Sequence, residues 1–254
     1  MTAPDKDKTF FIGWADTPAA DRRFFLRAGL GLTAASGALG LGLAALQRAP
    51  GPGRWNPDAV REWRGVVTAE PYAMLRTSDF GTVPRTALLS CLGKCGVATR
   101  IGALAGQAVV VKGSLIQRGV HTMIAVDEDG DWIRRDAGAM VNPSLLFPAA
   151  VPQGEVSLVG EILDSKCWFG AMRPSEGKVH KACAALCIRG GIPPAFFTRG
   201  PGNQAALMIM TSEGRAHGPD LLPFVADAVR VTGRVLRIGD LLVLDTPVSR
   251  IQRV

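Results

Sequence analysis

Two runs of this chain share a pattern that few folds accommodate: a β-branched strand interrupted by glycine, then a hairpin-like turn, with aspartate closing the run. The first covers residues 108–127, with Gly113 and Gly119 six positions apart; the second covers residues 228–245, with Gly233 and Gly239 at the same separation. A glycine within a strand weakens it unless the sheet must bend sharply there. Small closed barrels demand such bends. Each run is preceded by a glycine-led strand, residues 65–68 and 160–164, and by a C-x3-C pair, Cys91/Cys95 and Cys183/Cys187. Overlaid on these features, the two halves predict tandem domains over residues 64–148 and 149–254. Between its cysteine pair and its bent strand the second copy is longer, and residues 204–211 read as an extra strand.

The order of strand, cysteine-bearing helix or turn, and bent hairpin resembles the OB-fold, a five-stranded barrel with one helix between strands. The expected fold is mainly β with short helices: two tandem small OB-like Greek-key barrels behind one N-terminal transmembrane helix.

That helix is expected from the other end of the chain. Residues 1–20 read as a polar cytoplasmic tail. Asp21-Arg22-Arg23-Phe24-Phe25-Leu26-Arg27 then leads into residues 28–46, which carry no charge. The paired arginines, the aromatic two places on, the leucine and the following basic residue resemble the twin-arginine export signal. Asp21 stands where that signal usually has serine or threonine. The apolar run is long enough, at about 28 Å, to cross a bilayer core. No small-x-small cleavage site follows it, so residues 21–47 read as an uncleaved signal anchor. Arg22, Arg23 and Arg27 keep the N-terminus cytoplasmic, which places the bulk of the chain in a bacterial periplasm. Residues 48–63 read as a Pro/Gly-rich linker. Its Trp55 and Trp63 either sit at lipid headgroups or pack on the next domain.

This topology bears on the net charge of +7. A basic chain usually suggests nucleic acid, but the periplasm offers none. Anionic lipid or an acidic protein partner remains, with the bilayer itself engaged through residues 28–46.

The richest local chemistry lies in residues 160–194, which hold Cys167, His180, Cys183 and Cys187 in the spacing C-x12-H-x2-C-x3-C. Residues 178–186 read as a helix capped by Ser175 and stopped by Gly190-Gly191, which puts His180, Cys183 and Cys187 on one face. Cys167 ends a strand, and the loop after it lets it swing over that face. Thiolate and imidazole together are ligands for zinc, copper or iron–sulfur centres. The same residues also suit a disulfide between Cys167 and either Cys183 or Cys187. Asp164, three residues before Cys167, is placed to orient a ligand. Cys91 and Cys95 read as a local disulfide or free thiols, His121 as a half-buried strand residue, and His217 as an exposed loop residue.

No P-loop, dinucleotide fingerprint, nucleophile elbow or histidine–carboxylate zinc motif is present, and no C-x-x-C dithiol either. The twin-arginine resemblance implies export in the folded state, which is common among cofactor-bearing subunits of membrane redox complexes. The expectation is a membrane-anchored accessory or structural subunit of such a complex, whose Cys/His cluster is a disulfide staple or a metal centre. A periplasmic metal- or thiol-dependent oxidoreductase and a free-standing metal- or ligand-binding module are the alternatives.

Overall fold

The computed structural model describes residues 21–30, 51–200 and 205–254. Residues 21–30 are helical (α1) and belong to a unit, Met1–Arg48, separate from Ala49–Val254. Among the described residues no helix is long and apolar enough to cross a membrane. The expected tail at 1–20 and most of the apolar run, 31–46, lie outside the described residues.

Residues 49–254 are mainly β. Their first half contains β1 (Arg54–Thr68), β2 (Met74–Thr77), β3 (Arg85–Cys91), the one-turn helix α2 (Ala98–Ile101), β4 (Ala108–Arg118), β5 (His121–Val126) and β6 (Ile133–Arg135). The second half has β7 (Val151–Asp164), α3 (Lys181–Arg189), β8 (Pro194–Arg199), β9 (Ala205–Thr211), β10 (Ala228–Ile238), β11 (Leu241–Asp245) and β12 (Ile251–Arg253). The first five strands close into a ring in the order β1-β2-β3-β5-β4, and β7-β8-β9-β11-β10 form a second ring in the same order. In each ring the third and fifth strands pair in parallel while the other pairs are antiparallel.

The repeated glycines do the same work in both rings. Gly65 faces Val109 and Gly160 faces Val229, each where the first strand crosses the second. A Cβ on Gly65 would strike the Arg76 carbonyl, and one on Gly160 the Phe197 carbonyl. Four residues further along the partner strand stand Gly113 and Gly233. There β4 changes neighbour from β6 to β5, and β10 from β12 to β11. A Cβ at Gly113 would lie 2.5 Å from the Ala125 carbonyl oxygen, and one at Gly233 would lie 2.7 Å from that of Asp245. Close approach of the neighbouring strand, not an unusual φ, is what excludes a side chain. Gly119 and Gly239, at φ 59° and 62°, turn the two hairpins.

Three readings from the sequence are corrected. The supposed linker at 48–63 is largely strand, because β1 begins at Arg54 and pairs with β4 at residues 54–55 and 60–66. Pro57 is tolerated there because the register shifts between Trp55 and Val60, and a bulge spares the missing N–H. Both tryptophans pack on the domain: Trp63 is fully buried with its indole donating to the Gly113 carbonyl, and Trp55 donates to the Ser114 hydroxyl. The two C-x3-C pairs are not equivalent, since Cys91 ends the third strand of its ring while Cys183 and Cys187 lie between the first and second strands of theirs. Consequently β9 is not an extra strand but the counterpart of β3. The extra piece is residues 165–193.

Apolar side chains form three clusters, one inside each ring and a third along the seam between them. The seam joins Tyr72, Met74 and Met123 of the first half to Trp168, Phe169 and Phe197 of the second.

Replacing Gly233 by Val should destabilise the protein by about 1–3 kcal/mol, the usual penalty for forcing a side chain into closed packing. The urea midpoint measures this, and an unchanged midpoint would show that the crossing tolerates a side chain.

Candidate metal centre at the seam

The excursion between β7 and β8 leaves the second ring at Asp164 and returns at Pro194. Its ends are tied together by the Ser165 hydroxyl, which donates to the Pro193 carbonyl at 2.8 Å. After Lys166 the chain makes one wide helical turn, Cys167–Ala171. Glu161 then holds the start of the return leg by accepting the Gly177 N–H at 2.7 Å. A 3₁₀ turn, Lys178–His180, runs into α3. The helix therefore begins later than the sequence suggested, and Ser175 does not cap it. His180 occupies the N-cap position, and the i, i+3, i+7 face carrying His180, Cys183 and Cys187 survives the shift. Gly190 and Gly191, the latter at φ 98°, end the helix as expected.

The four predicted residues fall into two groups that share Cys167. One ring nitrogen of His180 and the sulfurs of Cys167 and Cys183 all lie within 4.8 Å of one another. The Cys167 and Cys187 sulfurs lie within the same distance of each other and of an Asp164 carboxylate oxygen. Cys167 and Cys187 are buried, Cys183 is half-buried, and all three thiols are free. The expected disulfide from Cys167 to the helix is thus not formed: its sulfur stands 4.0 Å from that of Cys183. That spacing is close to the edge of about 3.8 Å in a tetrahedron with metal–sulfur bonds of about 2.3 Å. The Met172 thioether adds a further soft donor, 3.7 Å from the Cys183 sulfur.

Asp164 orients the group. Its carboxylate is fully buried; one oxygen accepts the Cys167 backbone N–H at 2.8 Å and the other lies 2.9 Å from His180 Nε2. A histidine held by a carboxylate has its ring orientation fixed, as ligating histidines generally do. His180 itself is only 3 % exposed. The hydrogen bond from Cys167 lowers the pKa of Cys187, with a smaller contribution from Lys94, and the same bond with burial raises that of Cys167. Burial likewise raises Cys183.

The first half closes the site from above. Lys166 reaches across the seam and donates to the carbonyls of Cys91, Leu92 and Gly93 at 2.6, 2.8 and 2.7 Å. Those carbonyls belong to the turn bridged by the Cys91–Cys95 disulfide. The Gly96 N–H bonds the Gly190 carbonyl at 2.8 Å, and a Cβ on Gly190 would collide with the Lys94 carbonyl. The C-terminal glycines of α3 let this turn dock directly on the helix. Because Cys91 and Cys95 are bridged, their sulfurs and Glu128, though close together, do not offer a second thiolate site.

From β4 and β5 come Arg118, 4.2 Å over the Trp168 ring, and His121, half-buried as expected and stacked on Phe169. His217 is corrected from exposed to half-buried: its N–H donates to the Tyr72 hydroxyl, and burial leaves Nε2 unpartnered. Sequence reasoning singled out Cys167, His180, Cys183, Cys187 and Asp164 but missed Lys166, Met172 and Arg118. The position of Lys166 next to Cys167 was the only local signal. Compared with known proteins, the chain matches no protein-family model, no curated protein and no solved structure.

Burial lowers the pKa of His121 below 6.5, with Arg118 adding repulsion and Asp240 partly opposing; burial also lowers that of His217. Below pH 6.5 the unfolded chain therefore binds more protons than the folded one. Stability is undiminished above that value and falls as the pH drops through it. The urea midpoint should decrease between about pH 7.5 and 5.5, and His121→Gln should flatten the decrease. A midpoint that holds or rises on acidification would contradict this.

Proposed function

We propose that this chain is a membrane-anchored, exported accessory subunit of a membrane redox complex, built around a mononuclear centre for a thiophilic ion. The observation that carries the metal reading is the convergence of three unbridged thiols and a buried, carboxylate-held histidine, in a chain whose other two cysteines are bridged. Three cysteines and one histidine form a familiar structural zinc set, and thiolates with a nearby thioether equally suit Cu⁺. Such an ion would be held by Cys167, Cys183, Cys187 and His180, and would tie the α3 excursion to the strand end. The ring order with its parallel closing pair supports assigning both barrels to the OB-like class. The signal at Arg22 and Arg23 and the uncharged run after it support the anchor, the periplasmic location and partners within the membrane. A thiol-dependent oxidoreductase is the second reading, favoured by three free thiols lying side by side, with the Cys167 and Cys183 sulfurs 4.0 Å apart.

Full-length protein purified anaerobically in non-ionic detergent should hold one Zn²⁺ or Cu⁺ per chain and unfold at a higher temperature when loaded. Cys167→Ser, Cys187→Ser or His180→Ala should each weaken binding by about tenfold or more, read by chelator competition. Background metal content with three freely titrating thiols would overturn the metal reading. Reversible disulfide formation in that same sample would favour the oxidoreductase.

Export is tested separately. Arg22→Lys with Arg23→Lys preserves the charge but should abolish export through a twin-arginine route. Normal export of this double variant, or a mature N-terminus beyond residue 47, would sink the signal-anchor reading.

A further inference from the structure

Beside the cysteine cluster lies a cavity of about 420 Å³, within the range usual for small-molecule sites. Cys167 and Met172 line one part of its wall, and Arg118, Arg173, Ser175 and Trp168 line others. Its polar groups are mostly donors. The indole N–H of Trp168 is buried without a partner, and the Arg173 guanidinium is bonded to the Gly53 carbonyl at 3.2 Å. One carboxylate, Glu176, lines the cavity. It is shared between two cations, Arg118 at 3.7 Å and Arg199 at 3.4 Å. Two guanidiniums, those of Arg118 and Arg173, thus line the cavity with one carboxylate, and burial lowers the pKa of Arg118, with Glu176 opposing and Arg173 and Arg199 adding repulsion. Like charges gathered around a concave, partly desolvated wall focus a positive field into it. A guanidinium fork is shaped to grip a carboxylate or oxyanion through paired hydrogen bonds.

We propose that this cavity binds a small carboxylate or inorganic oxyanion, with Arg173 and Arg118 holding its charged end. This goes beyond the metal reading, because the donors that define the cavity are not the ligands of the centre. The shared wall at Cys167 and Met172 brings the bound anion against the cluster.

Isothermal titration of the full-length protein in non-ionic detergent, at low ionic strength, tests this with phosphate, thiosulfate and succinate as probes. Metal-free and metal-loaded samples are titrated in parallel, so failure of the metal centre and failure of the anion site are read independently. At least one probe should bind with a stoichiometry of one and weaken as salt is added. Arg173→Gln should weaken it by about tenfold or more, as loss of a charge-assisted hydrogen bond does. Arg118→Gln should act in the same direction. Because Arg118 also stacks on Trp168, the exposed Arg173 carries the decision if that variant misfolds. No heat from any probe up to about 10 mM, or binding indifferent to Arg173→Gln, would overturn the proposal.

Discussion

One ammonium group ties the two halves of this protein together at the candidate site. Lys166 is only 3 % exposed, and burying an unpaired charge of that size would cost several kcal/mol. Its three N–H donors meet three backbone carbonyls, a complete match of donors to acceptors. The acceptors converge because the Cys91–Cys95 bridge folds their turn back on itself. Charge burial therefore becomes a directional constraint. The strand end bearing Lys166 can sit in one place against the first barrel, and the residues on either side of the lysine are placed with it. Asp164 fixes His180 and the Cys167 backbone, Ser165 fixes the return of the excursion at Pro193, and Cys167 is left facing α3.

The location of the site follows from this. Each ring is filled by its own apolar cluster. The seam is different, because its apolar cluster is assembled from both halves and contains Cys167 and Cys187. Placing the cysteines there removes water from the thiols without opening a barrel. The excursion carrying them needs only two anchor points on the second ring, the ends of β7 and β8, and so leaves that ring's strand order intact.

How much of this could be read from the residues depended on the range of the interaction. The bent strands were legible because a glycine among β-branched residues is a local signal with a single geometric meaning, and it recurs at Gly113 and Gly233, each two residues after a valine and six before a second glycine. The convergence of His180, Cys183 and Cys187 was legible because helical spacing is local too, even though the helix starts at Lys181. The overlay of the two C-x3-C pairs failed for the opposite reason. A cysteine pair is a conspicuous pattern, whereas β2, with only four residues, is not. Aligning on the cysteines displaced an insertion of residues 165–193 into an apparent extra strand. The β1 bulge hid a strand behind Pro57 in a similar way. Lys166 and Arg118 were illegible because each acts through a partner brought near only by the packing of one half on the other, and Met172 because it meets Cys183 only once the excursion has folded back on itself.

The contrast between the bridged and unbridged cysteines bears on how such a chain reaches its final state. Five cysteines allow fifteen patterns of two bridges, five choices of the odd residue times three pairings. An oxidising compartment selects poorly among them when all five thiols are exposed during folding. If Cys167, Cys183 and Cys187 are liganded first, one pair remains, and it is the pair that forms the turn receiving Lys166. Since Cys167 and Cys187 are buried and the turn docks on the end of the helix that carries Cys187, an ion is most easily inserted before the turn docks. On the proposed reading, loading of the centre therefore precedes oxidation of Cys91 and Cys95. That order is natural for a protein which acquires its metal in a reducing cytoplasm, crosses the membrane folded, and meets oxidant only on the far side.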